Sequence, residues 1–187
     1  YGLYNASQES IVNFYDGVIS GETAIYGKIT SIEDEYEIVS ENEGNIEHKF
    51  LDKIPLIRNI NKTEDNEYYS IQTAIDEADD GDTLELLREY VTISTTDTIA
   101  NDKTITLDLK GYKIQQNNET LFTNSSILTL KSSVDGGMIE SNVGNIVINN
   151  GTLNIENVKC HSTITSEIIT NNENGLLNIT GGEYYSN

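Results

Sequence analysis

The chain has 187 residues, of which 31 are acidic and 11 are basic, so its formal charge at neutral pH is −20. A surface this negative repels phosphate groups, which makes nucleic acid and anionic lipid poor partners. No apolar run approaches the roughly 18 residues that a membrane-spanning helix needs, so we expect no membrane insertion. The single cysteine, Cys160, has no second thiol with which to form an internal disulfide. The opening residues, YGLYNAS, contain neither an initiator methionine nor a signal sequence, and we expect the chain to be a piece of a longer protein.

Residues 1–27 are predicted to form the closing coil of a preceding copy of a repeated module. Their Val12 and Phe14 align with Leu177 and Ile179 near the end of the chain. The sequence then opens and closes partway round a coil, which exposes unpaired strands at both ends. We therefore expect neighbouring copies of the module to stack head to tail.

Residues 28–57 form an acidic segment in which apolar and acidic side chains alternate on either side of the sequence ENEGN. Such alternation around a glycine-containing turn predicts a β-hairpin, here turning near Gly44. Of the 31 acidic residues, 21 lie before residue 93, so the two halves of the chain are expected to differ in structure. The hairpin is predicted to connect the closing coil to a domain that spans residues 58–187.

The sequence SIQTAIDEADDG predicts a short helix near residues 70–80. Its apolar residues recur at the spacing of a one-sided helix, namely at Ile71, Ala74, Ile75 and Ala78. Ser70 stands at the N-cap position, and Gly81 is predicted to end the helix in the left-handed conformation. We expect this helix to cover the first coil of a solenoid, whose end would otherwise expose core and unpaired strand groups.

Three aspartates around Gly81 raise the question of a calcium site. They are Asp79, Asp80 and Asp82. An EF-hand loop with Gly81 at its sixth position would have Ala78 at the third and Leu87 at the twelfth, where oxygen ligands are required. The EF-hand interpretation therefore fails, and the cluster is interpreted as the turn between the helix and the first strand. An irregular calcium site at these aspartates stays the alternative.

A phrase of alternating apolar and polar residues recurs from residue 82 onward. The copies are DTLELL, TITLDL, ILTLKS, TLNIEN and LLNITG. The steps between their first inward residues, Leu84, Ile105, Leu128, Leu153 and Leu177, are 21, 23, 25 and 24 residues. A strand advances about 3.3 Å per residue, so this period suits one coil of three short strands and three turns. The phrases therefore predict a parallel β-helix. Its core is a stack of the inward pairs Leu84/Leu86, Ile105/Leu107, Leu128/Leu130, Leu153/Ile155 and Leu177/Ile179.

Asparagines end another strand of each coil a few residues before the next phrase. An asparagine tolerates the backbone of a tight turn, and its amide can hydrogen-bond to the same amide one coil away. Asn124, Asn150 and Asn171 are the predicted members of such a ladder. N-glycosylation is the alternative interpretation, because several asparagines begin an N-x-S/T sequon. Among them are Asn5, Asn61, Asn118, Asn124 and Asn178.

The combination of YYSIQTAIDEADDGDTLELL, KTITLDLKGYKI and GTLNI resembles the right-handed parallel β-helix modules of large Gram-positive bacterial surface proteins, within the pectin-lyase-like superfamily. The resemblance covers roughly residues 58–187. It implies an all-β, right-handed parallel β-helix at the extracellular face of a bacterial cell, acting as a spacer or adhesin. It does not define an activity, because that superfamily includes pectate lyases, polygalacturonases, sugar-binding proteins and adhesins.

An enzyme of this superfamily would carry its chemistry on the outward side of the coils. One outward column is predicted to contain Leu87, Asp108, Lys131, Glu156 and Thr180. In a Ca²⁺-dependent uronide lyase, Asp108 and Glu156 would hold the ion against the substrate and Lys131 would remove a proton. The alternative is a ladder of surface ion pairs. The ladder is favoured, because no arginine follows Arg88 to clamp a uronate and His161 is the only histidine in the coils.

The sequence therefore predicts a non-catalytic module that needs no cofactor. A host or plant glycan is a candidate ligand, with Tyr15 and Tyr185 as exposed aromatic candidates for its binding. Cys160 is predicted to be a buried, inert thiol. It follows the first inward residue of its coil by seven residues, as Tyr112 and Tyr184 do in theirs.

Overall fold

The computed structural model describes residues 2–5, 12–15, 17–27, 30–31, 36–92, 97–99, 103–117, 120–164 and 167–186. The chain divides into two compact units, Tyr1–Ile54 and Pro55–Asn187. Regular structure among the described residues is strand throughout, apart from one short helix in the second unit. The prediction of an all-β chain is thereby confirmed.

The first unit consists of short parallel pairs and one antiparallel sheet. Its described strands are β1 (Leu3–Tyr4), β2 (Asn13–Phe14), β3 (Val18–Gly21), β4 (Ile25–Tyr26), β5 (Thr30–Ser31), β6 (Tyr36–Glu43) and β7 (Ile46–Lys53). β1 pairs with β4 and β2 with β5, both in parallel, while β3, β7 and β6 form the antiparallel sheet in that order. β6 and β7 are the predicted hairpin, and Gly44 supplies the left-handed backbone of its turn, with φ +63°. Leu3 pairs with Ile25, 22 residues later, which is close to the step of one coil. That residues 1–27 close a preceding coil stays a prediction.

The second unit begins with a hairpin and the helix. These elements are β8 (Ile57–Asn59), β9 (Glu67–Tyr68) and α1 (Ile71–Glu77). Ser70 caps α1 as predicted, because its Oγ accepts a hydrogen bond from the backbone N–H of Thr73 at 3.1 Å. The helix ends at Glu77, where Ala78 turns to an extended backbone. The prediction that Gly81 ends the helix is wrong, since its left-handed backbone, with φ +91°, lies in the turn that follows.

Two lysines satisfy the last carbonyl groups of α1. Lys62 Nζ donates to the carbonyl of Glu77 at 2.6 Å, and Lys103 Nζ donates to the carbonyl of Asp76 at 2.6 Å. Cations at a helix C-terminus also complement the helix dipole. The apolar face of α1 is buried in the core of the second unit through Ile71, Ala74 and Ile75.

The remaining strands wind into a solenoid. They are β10 (Thr83–Leu86), β11 (Tyr90–Thr92), β12 (Asp97–Ile99), β13 (Thr104–Asp108), β14 (Lys113–Gln116), β15 (Thr120–Asn124), β16 (Ile127–Lys131), β17 (Met138–Ser141), β18 (Asn145–Asn149), β19 (Thr152–Glu156), β20 (Lys159–Ser162), β21 (Ile169–Asn171), β22 (Leu176–Thr180) and β23 (Tyr184–Ser186). Every third strand lies in the same sheet and pairs with its neighbours in parallel. Sheet 1 contains β10, β13, β16, β19 and β22; sheet 2 contains β11, β14, β17, β20 and β23; sheet 3 contains β12, β15, β18 and β21. The predicted parallel β-helix is confirmed.

The N-terminal end of the solenoid is covered. β8 pairs antiparallel with β10, and β9 pairs with β8 at the outer edge of this sheet. The helix α1 packs against β12, the first strand of sheet 3. Both contacts remove strand edges that could otherwise pair with another chain.

The inward residues of sheet 1 form the core, as predicted, and in β10, β13, β16 and β19 they are at most 2% exposed. The predicted first step is wrong, because Leu84 pairs with Leu107, 23 residues later, and not with Ile105. A shift of two residues keeps every side chain on the same face of the sheet, so the burial is unchanged while the partners differ. In β22, Leu177 is half-buried and Ile179 is 49% exposed, since no described strand pairs with the outer edge of β22.

An asparagine ladder joins sheet 3 to sheet 1. Asn124 Nδ2 donates to Asn149 Oδ1 at 2.7 Å, and Asn149 Nδ2 donates to Asn171 Oδ1 at 2.7 Å. The predicted member Asn150 is wrong, because it lies one residue beyond β18 and is exposed, whereas Asn149 is fully buried. Asn124 is also fully buried, so its sequon is closed to glycosylation in the folded chain. Asn118 lies outside the described residues.

Cys160 is fully buried, and burial raises the pKa of its thiol to about 12. The prediction of a buried thiol is confirmed. Its neighbours in register are Ile139 and Tyr184. Tyr112 was predicted for the same column, but it is 37% exposed and Ile114 takes its place.

Candidate functional site

The outward column of sheet 1 contains the residues predicted for a lyase site. In register, its members are Glu85, Asp108, Lys131, Glu156 and Thr180. Asp108, Lys131 and Glu156 are therefore successive members of one column, as predicted. Leu87 is not a member, because the two-residue shift at the first coil places Glu85 beside Asp108 instead.

Asp108 connects the turns of two successive coils. Its side chain is almost fully buried, and its Oδ1 accepts hydrogen bonds from the backbone N–H groups of Lys110 and Ser133, each at 3.0 Å. Burial by itself would raise the pKa of Asp108, but the hydrogen bonds from Ser133 and Lys110 lower the pKa by more. The carboxylate is thus held in its charged form by backbone groups of its own and of the next coil.

Two other charges of this column, Glu85 and Lys131, form ion pairs between coils. Lys131 Nζ lies 3.8 Å from Asp108 Oδ2, and Lys110 Nζ lies 3.2 Å from Glu85 Oε1. Glu156 is exposed and makes no ion pair with any described residue. These ion pairs hold neighbouring coils together. Glu156 is the carboxylate of this column that faces solvent.

The aspartates next to α1 serve the turn. Asp82 Oδ2 accepts from Asn59 Nδ2 at 2.6 Å and from the backbone N–H of Asp79 at 2.9 Å. Asp80 Oδ1 accepts from the backbone N–H of Thr104 at 2.7 Å, and this bond lowers the pKa of Asp80. Within the described ranges, no three side chains of His, Cys, Asp or Glu are grouped so that they could hold a metal ion.

Glu140, His161 and Tyr185 are in register in one outward column of sheet 2, and Lys113 of the neighbouring column lies beside Glu140. We call Lys113, Glu140, His161 and Tyr185 the sheet 2 array. Lys113 Nζ lies 2.6 Å from Glu140 Oε1, and His161 Nδ1 lies 3.2 Å from Glu140 Oε2. The rings of His161 and Tyr185 stack with their centroids 4.2 Å apart and an interplanar angle of 27°. Tyr185 is 46% exposed, so the array presents an aromatic side chain to solvent.

Neighbouring charges affect Glu140 of the array, and burial affects His161. The ammonium of Lys113 is the main cause of a lowered pKa at Glu140, with a smaller contribution from His161. His161 is largely buried, and its Nε2 has no hydrogen-bond partner among the described residues. Most buried polar atoms in folded proteins have a hydrogen-bond partner, so this nitrogen is an exception.

A groove of about 470 Å³ runs across three coils at the turns that precede sheet 2. We call it the turn groove, and it is lined by Asp135, Gly136, Asn157, Lys159, Gly182 and Glu183. Lys159 Nζ lies 3.2 Å from Glu183 Oε1. Lys159 also begins β20, two residues before His161, so the groove borders the array. Amide, ammonium and carboxylate groups therefore alternate along one side of the solenoid.

Sequence reasoning identified Tyr185 but missed the rest of the array. His161 and Tyr185 both follow the first inward residue of their coil by eight residues, whereas Glu140 follows Leu128 by twelve because the turn SSVDGG is longer. That change of spacing hides the column in the sequence. The other aromatic candidate, Tyr15, lies directly after β2 in the first unit and is 70% exposed.

No protein-family model matches the chain, and neither a curated protein nor a solved structure matches it. No helix among the described residues is long and apolar enough to span a membrane. The structure thus establishes a β-solenoid compatible with a parallel β-helix.

Proposed function

We propose that this chain is a non-catalytic module of an extracellular bacterial surface protein, in which the solenoid acts as a spacer or adhesin. The observation that carries the proposal is the state of Asp108. Its Oδ1 already accepts two backbone hydrogen bonds, and its Oδ2 lies beside Lys131. A carboxylate that holds Ca²⁺ against a uronate needs oxygen atoms that face the substrate. Asp108 instead holds coils together, which favours a structural role for the column.

The surface location and the pectin-lyase-like, Gram-positive origin are proposed from the sequence resemblance of residues 58–187. The charge of −20 is consistent with this role, because a high net charge keeps a protein soluble. Continuous parallel sheets and the asparagine ladder are the features expected of a stiff spacer.

Glycan binding is proposed for the sheet 2 array and the turn groove. Sugar sites combine an aromatic ring with side chains that donate and accept hydrogen bonds to hydroxyl groups. Tyr185 supplies the ring, while Lys159, Asn157 and Glu183 supply donors and acceptors in the groove. The negative charge of the chain favours neutral or cationic glycans over uronides.

A digestion assay separates the module from a lyase. Uronide polymers are incubated with the chain with and without Ca²⁺, and the unsaturated product is followed by its absorbance. We expect no turnover in either condition. Turnover that needs Ca²⁺ and disappears in Lys131→Ala, but persists in Lys159→Ala, would overturn the non-catalytic assignment.

Neighbouring copies are proposed to stack head to tail on the outer edges of β21, β22 and β23. No described strand pairs with these edges, and Leu176 and Ile179 are 55% and 49% exposed there. Light scattering across a concentration series tests the proposal. We expect self-association that Ile179→Asp weakens, whereas Val143→Asp, at a position 46% exposed in the turn between β17 and β18, leaves it unchanged. A wild-type chain that is monomeric at every concentration would contradict it.

A further inference from the structure

Two asparagines of the second unit, Asn150 and Asn174, are followed directly by glycine. An Asn–Gly pair is prone to deamidation, because glycine has no side chain to shield its backbone nitrogen. That nitrogen attacks the asparagine Cγ, and ammonia leaves as a cyclic succinimide forms. Water then opens the ring at either carbonyl, which yields aspartate or isoaspartate. The reaction consumes one water and releases one ammonia, and no oxidant or cofactor takes part.

Asn150 is held by its neighbours on both sides. Its Oδ1 accepts a hydrogen bond from Asn172 Nδ2 at 2.7 Å, and its backbone N–H donates to the carbonyl of Asn124 at 2.8 Å. The backbone N–H of Gly151, the attacking group, donates to the ladder residue Asn149 at 3.3 Å. Ring closure at Asn150 therefore requires the side-chain bond from Asn172 and the Gly151 N–H bond to Asn149 to break together.

Asn174 lies in a longer turn. Between the ladder asparagine and the next strand of sheet 1, the earlier coil has residues 150–151, whereas this coil has residues 172–175. The additional residues include Asn174, which is exposed and whose side chain has no hydrogen bond to any described residue. The turn is closed by the bond from the Gly175 N–H to the carbonyl of Asn172, at 2.8 Å. Opening a single exposed turn is a local fluctuation of low cost.

We propose that Asn174 is a site of spontaneous deamidation and that the hydrogen bonds of Asn150 and Gly151 to their neighbours protect Asn150 in the same dipeptide. The product adds a negative charge beside Glu173. Isoaspartate also lengthens the backbone of a turn whose Gly175 carbonyl accepts a hydrogen bond from Asn171 Nδ2 at 2.8 Å. The reaction therefore acts on the Asn171 end of the ladder. The inference is independent of the proposed function.

Peptide mass spectrometry of the native chain tests the inference. The chain is incubated at mildly alkaline pH and sampled over days, and isoaspartate is labelled with a methyltransferase that is specific for it. We expect Asn174 to react at least about tenfold faster than Asn150, because only Asn150 needs a costly opening. The chain in denaturant is the control, in which both sites react at similar rates. Equal rates at the two sites in the native chain, or no reaction at Asn174 while the denatured control reacts, would overturn the inference.

Two variants test which asparagine reacts and what protects Asn150. Asn174→Gln disfavours ring closure and should remove the main deamidated species. Asn172→Ala removes the side-chain bond to Asn150 but keeps the backbone carbonyl that closes the turn. We expect faster reaction at Asn150 in this variant, with an unchanged circular dichroism spectrum. An unchanged rate at Asn150 would contradict the proposal that the bond from Asn172 protects it.

Discussion

The inward and outward sides of sheet 1 are built on the same strands, yet the register between coils affects them differently. On the inward side, one apolar residue stacks on another with little selectivity, so Leu84 packs on Leu107 as it would on Ile105. On the outward side, the same two-residue difference decides whether Asp108 has a carboxylate or a leucine beside it. The inward column therefore supplies stability, whereas each outward contact depends on one particular pair of residues.

Two buried polar side chains share features of both sides, because each is buried like a core residue and each depends on particular hydrogen-bond partners. Asn149 is fully buried, like a core leucine, but it requires an amide partner in each neighbouring coil. Asp108 points outward by parity and yet is buried, because backbone N–H groups surround it. A side chain of this solenoid can therefore point outward and still be buried. Comparing a substitution with a control at a nearby position distinguishes the effect of burial from the effect of direction.

The largest effect is expected from a charge on the inward side. Leu130→Asp should cost about 4 kcal/mol or more of unfolding free energy, because the carboxylate is buried without a partner. Ile127→Asp on the same strand is the matched control, since Ile127 points outward and is 40% exposed. It should cost less than about 1 kcal/mol. Thermal melts that coincide for the two variants would mean that the register of β16 is wrong.

The ladder is the next test. Asn149→Ala removes the hydrogen bonds that Asn149 makes with Asn124 Nδ2 and Asn171 Oδ1, and should cost about 2–4 kcal/mol. Asn150→Ala, one residue further on, removes one exposed hydrogen bond and should cost less than about 1 kcal/mol. Urea denaturation of both variants measures the difference. Equal losses would contradict the assignment of Asn149 as the buried member.

Asp97 in β12 should make stability depend on pH. It is 5% exposed, and burial raises its pKa from 3.8 to about 7, with a smaller contribution from Asp76 of α1. Between these values the folded chain keeps the proton that the unfolded chain loses, so stability falls as pH rises through this window. Asp97→Asn should raise the free energy of unfolding by roughly 1–3 kcal/mol at about pH 8, by less at about pH 5, and should change it little below about pH 4. Asp76→Asn, at an exposed site, should change the free energy of unfolding less. A wild-type melting temperature that does not vary with pH would contradict the assignment of Asp97 as a buried carboxyl.

The smallest effect is expected in the outward column. Asp108→Ala should cost about 1–2 kcal/mol, because the backbone N–H groups of Lys110 and Ser133 lose their acceptor. Glu156→Ala on the same column should cost less than about 0.5 kcal/mol, because Glu156 is exposed. Guanidinium denaturation distinguishes the two. If both substitutions are neutral, Asp108 does not connect the coils, and the main support for the proposed function is lost.

Much of the fold could be predicted from the chain alone, because the alternation of apolar and polar residues is local. Leu128, Leu130, Leu153 and Ile155 were assigned to the core correctly, and Ser70 was correctly placed at the helix cap. The sites were harder, because a site depends on which residues of different coils lie side by side. Glu140 and His161 are 21 residues apart, and the varying turn lengths conceal that they face each other.

The approximate period, the inward and outward sides of the sheet 1 strands, and the helix that precedes the coils could all be derived from the chain alone. These follow from propensity and from the two-residue repeat of a strand, which neighbouring coils do not alter. Contacts between coils decide that Asn149 and not Asn150 joins the ladder, and that Glu85 and not Leu87 lies beside Asp108. The physical reason is that turn length and hydrogen bonding between coils set the register, and both depend on contacts between residues more than 20 positions apart.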